Sequence, residues 1–258
     1  MTETTTSADG TTIAFERAGA GPAVIVVGGA MNHRHSDGGL VPLLAHRFTV
    51  VTYDRRGRGD SGDTLPYAPA REIEDLTALI DAVGGSAMVF GHSSGAMLGL
   101  ETAAAGASIS KLAVYEPPYL SDPSRGATAR TAAEGIRAAL DAGDRAEAVA
   151  IFIRNTGAPF DPALKDAPWF GGLTALAHTL PYDMELVGDS SVPAERLARI
   201  SVPTLGMYGG ASGDWARNAI AAVTAAIPGA SQVVVEGQTH AATPESRAPI
   251  LIEFFSQA

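Results

Sequence analysis

The sequence contains no cysteine, which removes disulfides, thiol catalysis and cysteine-ligated metals from the chemistry open to it. It also lacks any apolar run near the roughly 18 to 20 residues that a membrane-spanning helix needs. Its first ten residues, MTETTTSADG, are polar and acidic rather than basic and then apolar, so no secretory leader is expected and the expected location is cytoplasmic. Positive charge is scarce: 18 Lys and Arg stand against 28 Asp and Glu, a formal net charge of −10. Nucleic acid and anionic membranes both attract basic patches, so neither is an expected partner. There is no internal repeat, and no low-complexity tract beyond the short Thr/Ser-rich start.

What is present is enough apolar material, 46% of 258 residues, to bury a full core. Strands are expected at 11–16, 23–27, 48–53, 87–90 and 111–115, with an amphipathic helix over 70–83 that ends at Gly84-Gly85 and a second helix over 96–105. Strands alternating with helices in this order imply an α/β fold, a mostly parallel twisted sheet flanked by helices. The rhythm stops after Pro117-Pro118. From there to about residue 199 the pattern is helical, as in 131–155 and 172–180, and proline-punctuated. It returns with strands at 202–208 and 232–236 and helices at 215–227 and 244–256. The expected organisation is therefore a core of residues 1–118 and 200–258 carrying an inserted helical cap, 119–199.

GHSSG, residues 91–95, lies between the strand at 87–90 and the helix at 96–105. A serine hydroxyl is a weak nucleophile until a neighbouring base takes its proton, and it must protrude to reach substrate. A Gly-x-Ser-x-Gly turn from strand to helix achieves the protrusion: Gly91 and Gly95 allow a sharp reversal and Ser93 stands at its apex. The helix N-terminus adds positive potential where an oxyanion would form.

Together with VIVVGGAM (24–31), YDRRGRGDSGD (53–63), YEPP (115–118), VPTLGMYGG (202–210) and GQTH (237–240), this motif resembles the α/β-hydrolase family over nearly the whole chain. The resemblance implies an α/β-hydrolase fold and a catalytic triad whose base follows the last strand. Among six histidines, His240 alone stands there, and it is the expected general base. His46 and His178 are read as solvent or packing residues.

The acid departs from the commoner family pattern, which places an Asp after the strand at 202–208. Ser212 occupies that position here, and Asp214 lies two residues later. A minority of the family takes its acid from the end of the preceding core strand, where this chain has Glu116; zearalenone lactonases are similar to it in that feature. Glu116 is favoured, with Asp214 kept as the alternative. The resemblance also implies an oxyanion hole from the main-chain N–H groups of Ser94 and Ala30. Met31, His33, His92, Trp169, Phe170 and Tyr182 are candidate substrate-binding residues, and Asn32, Arg34 and His35 follow the oxyanion loop. Arg55, Arg56, Arg58 and Asp60 are read as a structural loop rather than an anion site.

The expected activity is serine-dependent hydrolysis of a carboxylic ester or lactone through an acyl-enzyme, with no metal and no organic cofactor. The expected partner is a small, largely apolar ester or lactone, and a homodimer is the candidate assembly. Sequence alone leaves open other chemistry of the same fold, such as a C–C hydrolase, thioesterase or perhydrolase, and a non-catalytic ligand-binding relative.

Overall fold

The structure is a computed structural model that describes residues 1–120 and 123–257, with backbone alone for residues 123–127. Eight strands, β1 (Glu3–Thr6), β2 (Thr12–Ala18), β3 (Ala23–Val27), β4 (Thr49–Tyr53), β5 (Ala87–His92), β6 (Ile109–Tyr115), β7 (Thr204–Gly209) and β8 (Ser231–Val235), form one sheet in the order β1-β2-β4-β3-β5-β6-β7-β8. β1 and β2 pair antiparallel, as do β2 and β4, and every later pair is parallel. The α/β-hydrolase fold expected from the sequence is the fold observed.

The core follows from side-chain alternation along the central strands, because successive residues of a strand point to opposite faces. Ile25 and Val27 join Val51, Val89, Leu112 and Val114 on one face. There they meet α2 (Pro69–Ala82), α3 (Ser94–Ala104) and α9 (Asp214–Ala226) through Leu76, Leu79, Leu98, Ile220 and Val223. Val24 and Val26 turn to the other face with Val50, Phe90 and Tyr115, against α1 (Leu40–Leu44) and α10 (Pro244–Ser256). Strands covered on both faces read as unbroken apolar runs, which is why AVIVV and TVVTY carry no polar alternation.

Between β6 and β7 the described residues are helical: α4 (Pro123–Asp141), α5 (Arg145–Asn155), a 3-10 turn at Pro162–Asp166, α6 (Phe170–Leu176), a second 3-10 turn at Ala177–Thr179, α7 (Leu180–Val187) and α8 (Ala194–Leu197). Ile136, Val149, Phe170 and Leu180 form a small apolar cluster of their own, with Met31 of the core packed against it. Residues 121 and 122 of the expected cap lie outside the described residues.

The sequence reading did not include α1, the expected helix at 172–180 is α6 followed by a 3-10 turn, and two further differences have a local cause. The polar start carries β1, a threonine-rich edge strand whose residues are alternately half-buried and exposed, so no hydrophobic alternation announces it. The helical stretch 131–155 is two helices. Gly143 takes φ 77° after the first, and the Asp144 side chain accepts from the Glu147 N–H at 2.8 Å to cap the second.

Candidate active site

The turn at GHSSG is as sharp as its glycines allow. Ser93 sits at φ 57° and ψ −125°, between the end of β5 and the first residue of α3. A Cβ on Gly91 would run into the Gly95 carbonyl, and one on Gly95 into the Val27 carbonyl. The Ser93 N–H donates to the Tyr115 carbonyl at 3.0 Å, tying the turn to the end of β6. Of the four non-glycine residues with positive φ among those described, three gather here: Met31 at 56°, Ser93 at 57° and Glu116 at 46°. Such backbone costs roughly 1–3 kcal/mol per residue and persists only where surrounding packing holds it.

Glu116, fully buried at the end of β6, faces the loop after β8. His240 donates from Nδ1 to its Oε2 at 2.7 Å, while Ser212 Oγ at 2.6 Å and the Gly209 N–H at 2.8 Å both donate to Oε1. Burial works to raise the Glu116 pKa, but the bonds from His240, Ser212 and Gly209 outweigh it and hold the carboxyl below its ordinary value. An ionised carboxylate only accepts, so Nδ1 carries the proton and Nε2 of a neutral ring keeps its lone pair. Ser93 Oγ makes no hydrogen bond to that ring in this arrangement.

The loop bearing His240 is held by its backbone. His92 donates from Nε2 to the His240 carbonyl at 3.0 Å, and Tyr115 Oη donates to the Thr239 carbonyl at 2.7 Å. The rings of His92 and Trp215 lie 4.8 and 5.7 Å from that of His240. Burial, then the neighbouring His240 and Arg247, pushes the His92 pKa down to about 4, so this imidazole is neutral at ordinary pH.

The Gly28-Gly29-Ala30 loop abuts Ser93: a Cβ on Gly29 would stand 2.9 Å from Ser93 Cβ. The N–H groups of Ala30 and Ser94 have no hydrogen-bond partner among the described residues. As the first residue of α3, Ser94 has no carbonyl one turn back to accept its N–H. Beneath both lies a buried ion cluster. Arg58 donates to the Gly29 carbonyl at 2.7 Å and to Asp183 at 2.8 Å; Arg55 meets Asp183 at 2.9 Å and both oxygens of Glu72 at 2.6 Å. Ser94 Oγ donates to Asp183 at 2.7 Å. Burial alone would raise the Asp183 pKa, but Arg58, Arg55 and Ser94 bring it below the usual value.

The other candidates lie elsewhere. Asp214 opens α9 with its side chain 81% exposed and paired with Arg217 at 2.9 Å. Tyr182 stacks on Tyr67 with ring centroids 4.1 Å apart and donates to Asp63. Trp169 is 55% exposed and Phe170 is buried in the helical cluster. The His33 N–H bonds to Ser36 Oγ, and the His33 ring accepts from the His35 N–H. Arg34, His35 and His46 line a surface cleft of about 510 Å³ that none of Ser93, Glu116 and His240 lines. The His178 ring bonds to the Gly57 carbonyl at 2.8 Å, a packing role. The sequence reading missed Gly209, Trp215 and Asp183 as neighbours of the site, and nothing in their local sequence marks them. Among the described residues no group of three or more His, Cys, Asp or Glu side chains could hold a metal ion, and no helix is long and apolar enough to cross a membrane.

Comparison with known proteins bears on the fold and the family. The chain is 48% identical to an alpha/beta hydrolase from Sphaerobacter thermophilus DSM 20745, with a TM-score of 0.88 over 98% of this chain and 100% of that one. It is 35% identical to the N-formylmaleamate deformylase of Pseudomonas putida over 111 residues, 42% of this chain and 41% of that protein. The chain thus matches less than half the length of such curated relatives. The enol-lactonase of Burkholderia xenovorans LB400 shares the fold at 20% identity and a TM-score of 0.68, covering 96% of this chain and 98% of that one. The model of the alpha/beta hydrolase family matches residues 23–251, and the chain belongs to that family.

Proposed function

We propose that this protein is a serine hydrolase that cleaves a carboxylic ester or lactone through an acyl-enzyme intermediate. The observation that carries the reading is the 2.7 Å bond from His240 Nδ1 to a buried, ionised Glu116, beside a serine held in strained backbone at a helix N-terminus. Ser93 Oγ attacks the carbonyl carbon while His240 Nε2 takes its proton. Glu116 fixes the tautomer and stabilises the imidazolium that results. The N–H groups of Ala30 and Ser94 receive the carbonyl oxygen as it gains charge. His240 then returns the proton to the departing alcohol and activates the water that releases the acid. A lactone is an internal ester and follows the same steps, its alcohol staying attached to the released acid.

The helices between β6 and β7 form the cap over this chemistry, and residues 1–118 with 200–258 form the core. The test is hydrolysis of a panel of p-nitrophenyl esters and simple and macrocyclic lactones by wild type and Ser93→Ala at matched concentration. Turnover lost in the variant by at least about a thousandfold supports the reading. A folded wild type that turns over no member of the panel overturns it.

A further inference from the structure

We propose that Arg55, Arg58 and Asp183 are positioning residues for the two oxyanion donors, so that the Ala30 and Ser94 N–H groups are aimed only while α7, which carries Asp183, is seated on the core. The proposal rests on the hydrolase reading above and adds to it a structural condition for activity.

A trans peptide is planar, and its C=O and N–H point in opposite directions. The Gly29 carbonyl and the Ala30 N–H belong to one peptide. When Arg58 Nη1 draws that carbonyl to 2.7 Å, it turns the Ala30 N–H away from the guanidinium. The same nitrogen reaches the Asn32 carbonyl at 3.2 Å, and Arg55 Nη1 the Gly28 carbonyl at 3.4 Å. Gly28 and Gly29 have no side chain to restrict their rotation, so the guanidinium bonds supply restraint that the loop does not have by itself.

The second donor is tied to the same group. Ser94 Oγ donates to Asp183 Oδ1 at 2.7 Å and accepts from Arg55 Nη1 at 3.1 Å, which fixes the residue whose N–H heads α3. Asp183 Oδ2 accepts from Arg58 Nη2 at 2.8 Å. One carboxylate therefore holds both arginines and the serine, and it comes from the helical insertion, 125 residues along the chain from Arg58.

Charge makes the arrangement conditional. Arg55, Arg58, Glu72 and Asp183 are each no more than 2% exposed, two cations against two anions. Without Asp183, Glu72 alone faces two buried guanidinium groups, and of the two it bonds Arg55 and not Arg58, its other partner being Tyr67 Oη. Arg58 is then an uncompensated buried charge and must shift toward another acceptor or toward water. Either movement releases the Gly29 carbonyl. A buried ion cluster adds little stability over apolar packing of the same volume, whereas its grip on both donor peptides has a direct consequence for an oxyanion.

The experiment measures kcat and KM for p-nitrophenyl acetate with wild type, Asp183→Asn and the charge-balanced double variant Arg58→Met/Asp183→Leu, normalised to active sites titrated by the p-nitrophenol burst. Phenylboronic acid, which forms an anionic tetrahedral adduct with a serine, is tested as inhibitor in parallel. The expected result is a fall in kcat of at least about thirtyfold, KM within about threefold, and a rise in the boronate Ki that tracks the loss of kcat. A purely structural role would lower Tm and the number of titratable sites and leave kcat per site unchanged, which overturns the proposal. If Asp183→Asn does not fold, the double variant keeps the charge balance, and wild-type kcat per site in it overturns the proposal equally. A wild type active on the ester with indifferent variants leaves the hydrolase reading standing; a wild type without activity removes both.

Discussion

Ser212 Oγ donates to Glu116 Oε1 at 2.6 Å, on the carboxylate oxygen opposite the one that meets His240. Ser212 stands after β7 where the family resemblance leads one to expect the acid, and Glu116 stands at the end of β6. The two strands are neighbours in the sheet, so a carboxylate at the end of either reaches the same imidazole. Ser212, at the position where that acid is expected, is one of the donors that keep Glu116 ionised.

Glu116→Gln should lower kcat on a p-nitrophenyl ester by about a thousandfold or more, because an amide in place of the carboxylate can neither fix the Nδ1–H tautomer nor stabilise the imidazolium. Asp214→Asn should stay within about twofold, since that side chain is exposed and bound to Arg217. Adding Ser212→Asp to Glu116→Gln should recover at least about tenfold by restoring a carboxylate one strand away. A large loss in Asp214→Asn instead would sink the assignment of the acid.

Ser93→Gly should abolish turnover and raise stability by about 1 kcal/mol, because glycine adopts φ 57° without the clash that a Cβ brings. Urea unfolding of the two proteins checks this. Equal or lower stability in the variant would mean that the serine side chain contributes more than its backbone strain costs.

His92 titrates differently in the two states, near its ordinary value of 6.5 when unfolded and near 4 when folded. Between those values the unfolded chain binds the extra proton, so stability is complete above about pH 6.5 and is lost as pH falls toward 4. The full loss is about 3 kcal/mol, of which about 2 should appear between about pH 7 and pH 5. The titratable and charged groups that face the ring are His240, Arg247 and Asp37, the last two joined as an ion pair. His92→Gln can still donate to the His240 carbonyl and has no proton to gain, so its stability should fall by less than half as much over the same range. Parallel slopes for the two proteins would place the titrating group elsewhere.

The parts of this site that could be read from the sequence are those whose signal is local. GHSSG stands between an apolar strand and an apolar helix, His240 is the one histidine after the last strand, and Glu116 is an acid set between an apolar strand and two prolines. In each case a single segment carries both the residue and the reason for its position. Asp183 offers no such signal, because its partners Arg55 and Arg58 lie 128 and 125 residues away and only the docking of α7 brings them together. The arginines were legible as a structural loop but not as the clamp on Gly29. β1 escaped for the opposite reason: an edge strand that buries little needs no apolar residues.

Arg56 separates stability from chemistry within the same YDRRGRGDSG stretch. It is fully buried like Arg55 and Arg58, but it bonds Asp75 through Nε and Nη2 at 2.7 Å and Asp9 at 2.9 Å, and it makes no hydrogen bond to the Gly28-Gly29-Ala30 loop. Asp75 lies on the buried face of α2, so Asp75→Asn leaves a buried guanidinium with Asp9 as its remaining anion. Removing one partner of a buried pair costs about 3–5 kcal/mol, and the surviving Asp9 bond argues for the lower end, about 3. Urea unfolding should show that loss, while kcat per titrated active site stays within about twofold of wild type. A fall in kcat per site comparable to that expected for Asp183→Asn would mean that the whole arginine stretch, and not the Asp183-linked part of it, aims the oxyanion donors.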